Sequence, residues 1–171
     1  MSDLLNKISG SRGGLEKLVA GIPGYKGYKE KEMRREADRI LRETLARKYE
    51  EQWARLNGVQ KRLLSSGGIE YLDDVESAAS KLRGFIDKLK TAAMGYTGFF
   101  DAVKVKEDAL DKLYQFDGAL NDGILQISGT IDGIDAAVAA KQGVPEAISR
   151  FDDQCRFLVE TFEHRKEVLT S

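Results

Sequence analysis

Cysteine and histidine are almost absent from this sequence, with Cys155 and His164 the only examples. A single cysteine excludes an internal disulfide, so we expect a cytoplasmic protein. One cysteine and one histidine cannot supply the four ligands of a structural zinc site. A di-iron helical bundle needs a Glu-x-x-His motif on each of two helices, but Thr161 stands three residues before His164. We therefore predict no metal site and no cofactor.

The usual signatures of catalysis are missing as well. A nucleophilic cysteine needs a base within hydrogen-bond reach, whereas His164 follows Cys155 by more than two helical turns on one predicted helix. Cys155 lies on the apolar stripe of that helix, as a core residue would. An EF-hand calcium loop with Gly123 at its sixth position would place Gly118 and Leu120 where oxygen ligands are required. No phosphate-binding glycine motif occurs, so we predict that the protein is not an enzyme.

Long apolar runs and prolines are also scarce. No stretch approaches the roughly 20 apolar residues that cross a bilayer, and the first residues do not resemble a secretory signal. Hydrophobic residues make up 42% of the chain and charged residues 32%, with only two prolines. This composition is typical of an ordered helical protein. We predict one all-α domain over residues 1–171, with no transmembrane segment.

Apolar residues recur at helical spacing in five segments. These are a short N-terminal helix within residues 1–22 (Asp3–Ala20) and four main helices at Lys29–Leu64, Ile69–Ala93, Asp101–Lys141 and Pro145–Leu169. A Gly/Tyr turn at 23–28 separates the first helix from the second. Short connections predict an up-and-down bundle of four main helices over residues 29–169, two of them long, with the N-terminal helix packed on it. Glycines leave the fourth helix either continuous or kinked near Asp122–Gly123.

Charge is distributed unevenly along the chain. Residues 26–62 contain twelve Lys/Arg against seven Asp/Glu, and residues 101–171 contain eight against fourteen. The basic part could therefore bind an anionic partner, or the two oppositely charged parts could face each other within one bundle. We favour the internal explanation because nucleic-acid-binding domains are usually strongly basic, whereas the pI of this chain is about 6.0.

Most arginines of the second predicted helix have an acidic residue three or four positions earlier. These pairs are Glu30–Arg34, Glu32–Arg35, Glu36–Arg39, Asp38–Arg42, Glu43–Arg47 and Glu51–Arg55. Each such pair supports a solvated helix by about 0.2–0.5 kcal/mol. The cations without one are mainly Lys26, Lys29, Lys31, Lys48, Lys61 and Arg62. The pattern predicts a long helix with a self-paired, solvated surface.

The turn sequence GIPGYKGY combines glycines with two tyrosines and nearby lysines. Tyr25 and Tyr28, with Lys26, Lys29 and Lys31, could form an aromatic and basic surface on which bases of RNA or single-stranded DNA stack. Alternatively, the two tyrosines pack the turn onto the end of the bundle, as a structural cap. We favour the cap, because such binding grooves use more than two aromatic residues.

We expect a non-catalytic helical-bundle protein that acts as an adaptor or assembly subunit, bound to another protein or to copies of itself. Its candidate contact residues are the aromatics Tyr25, Tyr28, Tyr49 and Trp53. The alternative is nucleic-acid or anionic-surface binding through the turn and the basic helix, using Lys26, Lys29 and Lys31. Peripheral membrane contact through Leu4–Ile22 is a third, less favoured hypothesis.

Overall fold

The structure is a computed structural model that describes residues 12–28, 34–92 and 107–170. Within these ranges it contains five α helices and no strand. The helices are α1 (Arg12–Ala20), α2 (Arg34–Ser66), α3 (Leu72–Thr91), α4 (Glu107–Ala140) and α5 (Val144–Thr170). The prediction of an all-α bundle with four main helices and a short N-terminal helix is confirmed.

Most predicted boundaries lie close to the observed ones. The predicted third helix begins as a 3₁₀ turn at Ile69–Tyr71 before α3. Helix α4 runs without interruption through Asp122–Gly123, so it is continuous. Gly143, with a φ of 74°, separates α4 from α5. The predicted starts of the first, second and fourth helices lie outside the described residues.

The four main helices form two antiparallel hairpins, α2–α3 and α4–α5, packed side by side. Helix α2 lies along α4, and α3 lies along α5. Both of these contacts are parallel. Lys81 pairs with Asp152, and Lys88 Nζ lies 2.6 Å from Glu163 Oε1, so residue numbers rise together along α3 and α5. The connection from α3 to α4 therefore joins helices on opposite corners of the bundle.

Ion pairs between α2 and α4 bring the basic and acidic parts of the chain together. Arg55 pairs with Asp132, and Arg62 Nε donates to Asp135 Oδ1 at 2.9 Å. The interpretation that these parts face each other is supported. One detail was wrong: Arg55, predicted to pair with Glu51, bonds instead to Gln52, Ser128 and Asp132. Arg62, which has no acidic residue three or four positions earlier, finds its partner on α4.

Gly123 lets α4 approach two neighbouring helices closely. A Cβ atom built at this position would overlap the side chain of Leu158 on α5 and lie 2.5 Å from the hydroxyl of Tyr49 on α2. The Tyr49 hydroxyl donates to the backbone carbonyl of Leu120, one turn away on α4. Gly129 is on the same helix, but its Cβ would meet nothing within 4 Å.

This difference gives a matched test. Gly123→Ala should lower the free energy of unfolding by about 1–3 kcal/mol because the methyl group overpacks the core. Gly129→Ala should raise it by roughly 0.5–1 kcal/mol because alanine is the better helix former at an exposed position. Urea denaturation followed by circular dichroism measures both changes. Equal effects of the two substitutions would contradict the close approach at Gly123.

Candidate functional site at the Gly/Tyr turn

The turn predicted at 23–28 lies at the upper end of the bundle, where α2 and α4 begin and α3 and α5 end. We call residues 12–28, which comprise α1 and this turn, the arm. Gly24 and Gly27 have φ values of 80° and 72°, a conformation that favours glycine. A Cβ at Gly27 would also lie 2.7 Å from the Tyr114 hydroxyl of α4. The glycines therefore allow the turn both to bend and to contact α4.

The arm occupies a position that α3 does not reach. Helix α3 has 20 residues, whereas α2 has 33 and α4 has 34. Arg42 Nη1 donates to the carbonyl of Leu89 at 2.7 Å, which places the end of α3 beside Arg42. Above this level Tyr28 packs against Ala37 of α2 and Leu113 of α4. Tyr28 thus packs between α2 and α4 beyond the described end of α3.

Tyr28 uses all of its polar groups in binding the helices. Its hydroxyl donates to Asp117 Oδ2 at 2.8 Å, and its amide donates to the Tyr114 hydroxyl at 2.7 Å. Its carbonyl accepts a bond of 2.6 Å from Arg34 Nε. The rings of Tyr28 and Tyr114 are 5.1 Å apart between centroids. One residue of the arm therefore bonds to both α2 and α4.

A buried ionic cluster lies next to Tyr28 and centres on Arg165 of α5. Arg165 Nε donates to Asp117 Oδ1 at 2.6 Å, and Arg165 Nη2 donates to Asp38 Oδ1 at 2.5 Å. Arg165 Nη2 is also 3.2 Å from the Tyr28 hydroxyl, and Arg42 Nε donates to Asp38 Oδ2 at 2.8 Å. We call Tyr28, Asp38, Arg42, Asp117 and Arg165 the Arg165 cluster. All five side chains are buried.

The two carboxylates of the Arg165 cluster respond differently to burial. Burial alone would raise the pKa of Asp38, but the guanidinium groups of Arg165 and Arg42 outweigh it and lower that pKa below its usual value. Burial raises the pKa of Asp117, and the attraction of Arg165 offsets this only in part. Asp38 has two guanidinium partners, whereas Asp117 has one and the Tyr28 hydroxyl.

The burial of Asp38 and Arg42 corrects the sequence-based interpretation of α2. This pair was expected on the solvated surface, but both side chains are only 3% exposed. Glu36 and Arg39 do form a surface pair, with Arg39 Nε donating to Glu36 Oε2 at 3.1 Å. Spacing along one helix indicates which charges can pair, but it does not indicate which pairs face the core.

Arg165 can be tested against Arg156, an exposed arginine on the same helix. Arg165→Met should lower the free energy of unfolding by about 3–5 kcal/mol because Asp117 stays buried without its guanidinium partner and Asp38 keeps only Arg42. Arg156→Met should leave it nearly unchanged, since its ion pairs with Asp152 and Asp153 are at the surface. Urea denaturation provides the comparison, and similar small losses for both variants would exclude a stabilising role for the cluster.

The buried tyrosines predict how stability changes with pH. Burial, and then the nearby Asp117 carboxylate, raises the pKa of Tyr28 well above its usual value; burial does the same for Tyr49. The unfolded chain ionises its tyrosines near pH 10. Because its pKa is raised in the folded state, each of these tyrosines contributes its full stabilisation below about pH 10. This contribution is lost as the pH rises.

The free energy of unfolding should therefore fall above about pH 10 by roughly 1.4 kcal/mol per pH unit for each of these two tyrosines. In Tyr28→Phe, the free energy of unfolding should fall less steeply with pH, by the contribution of one tyrosine. Urea denaturation of both proteins between about pH 9 and 11 measures the difference. The same slope in wild type and Tyr28→Phe would show that Tyr28 ionises freely in the folded protein.

The predicted site residues do not share one surface. Tyr28 and Tyr49 are fully buried, so neither can contact a ligand in this conformation. Lys29 and Lys31 lie outside the described residues. Trp53 is half-buried between α2 and α3, where Nε1 donates to the carbonyl of Ala79 at 3.2 Å. The stacking role considered for Tyr28 does not fit its burial, and the binding roles of the other residues stay predictions.

Tyr25 and Lys26 do line a cleft beside the arm. This cleft has a volume of about 410 Å³ and opens between α1, the turn and α4. Its lining residues are Leu15, Glu16, Val19, Ala20, Tyr25, Lys26, Gly27 and Tyr114. Lys26 is exposed, whereas the Tyr25 hydroxyl is buried and has no hydrogen-bond partner. We call this space the arm cleft.

Sequence reasoning missed Tyr114, Asp117 and Arg165, although it had a signal for the last of these. The apolar stripe of α5 runs through Leu158 and Phe162 in alternating steps of three and four. The next step of three falls on Arg165, a charge at a core position. Such a residue requires buried partners, and α2 and α4 provide them.

Neither of the two residues first considered for catalysis is a member of the Arg165 cluster. Cys155 is buried in the core as predicted, and burial raises the pKa of its thiol to about 12. His164 Nδ1 lies 2.9 Å from Glu167 at the surface of α5. Among the described residues, no group of three or more His, Cys, Asp or Glu side chains could hold a metal ion. No described helix is long and apolar enough to cross a membrane.

Comparisons of this chain with family models, with curated proteins and with solved structures give no match.

Proposed function

We propose that this chain is a non-catalytic protein-interaction module, an adaptor or assembly subunit, that binds a partner protein through the arm cleft. The observation that carries the proposal is the lining of the cleft. Leu15, Val19, Tyr25 and Tyr114 supply apolar and aromatic walls, and Lys26 stands at the edge. An aromatic or apolar centre with a charged rim is the usual composition of a protein interface.

The state of the charged groups also supports a binding role without catalysis. The strongly perturbed carboxylates and tyrosine of the Arg165 cluster bond to one another inside the bundle. A catalytic group must reach a substrate, within about 3 Å of the reacting atom. Asp38, Asp117 and Tyr28 have almost no exposed surface through which this contact could form. The free, buried thiol of Cys155 fits the cytoplasmic location that we propose.

Nucleic-acid or anionic-surface binding is the second candidate, because Tyr25 and Lys26 lie together in the arm cleft. The paired state of α2 argues against a broad basic surface. Arg55 and Arg62 are bonded to aspartates of α4, and Arg39 is bonded to glutamates of its own helix. Since these charges are already neutralised, we rank protein binding first.

Photo-cross-linking from within the arm cleft tests the proposal. A photoreactive amino acid at Val19 should cross-link a partner protein in cells, whereas the same group at Gln126, an exposed position on α4, should not. The captured protein is then purified and its affinity measured directly. Val19→Glu should weaken this binding by roughly tenfold or more because it places a charge in an apolar wall.

The matched control for affinity is Gln126→Glu, which should bind as tightly as the unchanged chain. Cross-linking to RNA or DNA instead of protein would favour the second candidate, provided that the binding falls steeply with salt. Equal cross-linking from Val19 and Gln126, or no effect of Val19→Glu on the affinity, would exclude the arm cleft as the partner site.

A further inference from the structure

Two polar atoms at the upper end of the bundle are buried without a hydrogen-bond partner among the described residues. They are the hydroxyl oxygen of Tyr25, on the arm, and Nη1 of Arg165, on α5. The side chain of Arg165 is completely buried. A buried polar group without a partner lowers stability, so such groups are nearly always bonded in folded proteins. Both atoms therefore require a partner that the described side chains do not supply.

Neither side chain is free to turn towards another protein group. The guanidinium of Arg165 is planar, and its other nitrogens are held, with Nε bonded to Asp117 and Nη2 bonded to Asp38. A rotation that gave Nη1 a new partner would break these bonds. The ring of Tyr25 packs against the apolar cluster around Tyr28, which fixes the position of its hydroxyl. The partner must therefore be a molecule small enough to reach both atoms inside the bundle.

The two atoms share one electrostatic environment, next to the Arg165 cluster. Burial, and then the charge of Asp117, raises the pKa of Tyr25 above its usual value, while the charge of Arg165 acts to lower it. The Tyr25 hydroxyl therefore keeps its proton at neutral pH and lies within electrostatic reach of Asp117. Each oxygen of Asp117 accepts one bond, from Arg165 Nε or from the Tyr28 hydroxyl, and so has a second lone pair left. The site thus offers two donors and an acceptor.

We propose that this site binds a water molecule, which accepts hydrogen bonds from Arg165 Nη1 and from the Tyr25 hydroxyl and donates one to Asp117. Water suits the site because it both accepts and donates, and buried waters typically make about three bonds to groups that the protein leaves unsatisfied. A bound anion could accept from both donors but is disfavoured, because the charge of Arg165 is already matched by the carboxylates of Asp38 and Asp117.

The bound water gives the arm a second polar link to α5. The first is the contact of 3.2 Å between Arg165 Nη2 and the Tyr28 hydroxyl. With the water in place, both tyrosines of the turn are bonded to the Arg165 cluster. The site requires no partner protein, so its tests use the isolated chain. Their outcome is therefore independent of whether a partner binds in the arm cleft.

The direction in which Tyr25→Phe changes thermal stability tests the site, because this substitution removes only the hydroxyl. If the hydroxyl is bonded to the water, its loss should lower the midpoint of thermal unfolding by about 2–4 °C. If the hydroxyl has no partner, its loss should raise the midpoint, since an unsatisfied polar group leaves the interior. Tyr71→Phe is the matched control, and it should change the midpoint little because the Tyr71 hydroxyl bonds to Glu70 at the surface.

Differential scanning calorimetry measures the midpoints, and an unchanged or raised midpoint in Tyr25→Phe would overturn the proposal. A crystal structure of the wild-type chain then identifies the bonded group. It should show a water within about 2.5–3.2 Å of both the Tyr25 hydroxyl and Arg165 Nη1. A direct bond from either atom to another protein group, with no water between them, would contradict the site. So would a halide in its place, which anomalous scattering from crystals grown in bromide would reveal.

Discussion

Arg165 is the residue on which the arrangement of the upper end depends. Its guanidinium joins α5 to Asp38 of α2 and to Asp117 of α4, and it lies beside the Tyr28 hydroxyl of the arm. An arginine cannot lose its charge at any ordinary pH, so its burial requires both carboxylates to stay in place. A shift of any one helix along its axis would leave a buried charge without a partner. The Arg165 cluster therefore defines the relative positions of three helices and the arm.

Helix length explains why the arm belongs to the bundle. Within the described residues α3 ends beside Arg42, and Tyr28 packs against α2 and α4 above that level. The arm then forms one wall of the arm cleft, while its inner side covers the ionic cluster. The arm cleft and the Arg165 cluster thus both depend on the same short segment. Anything that moves the arm changes both.

The helices were predictable because burial in a bundle imposes a period on the sequence. The stripes through Val75, Leu82 and Leu89, and through Ile127, Ile131 and Ile134, predicted α3 and α4, and these residues are buried. The charge pairs were less predictable. Asp38–Arg42 and Glu36–Arg39 have similar spacings, yet one pair is buried and the other exposed. The helical period of a sequence does not show which neighbouring helix a polar face contacts, or whether that face is buried.

The sequence by itself determined the all-α class, the order of the helices, the glycine turn and the core role of Cys155. These features depend on local backbone preferences and on a pattern repeated over many residues. Only the tertiary structure decided that α2 lies along α4, that Tyr28 is buried, and that Arg165 meets Asp38 and Asp117. These contacts join residues far apart in the chain, and they form because a charge enclosed by several helices must find its partners on those helices.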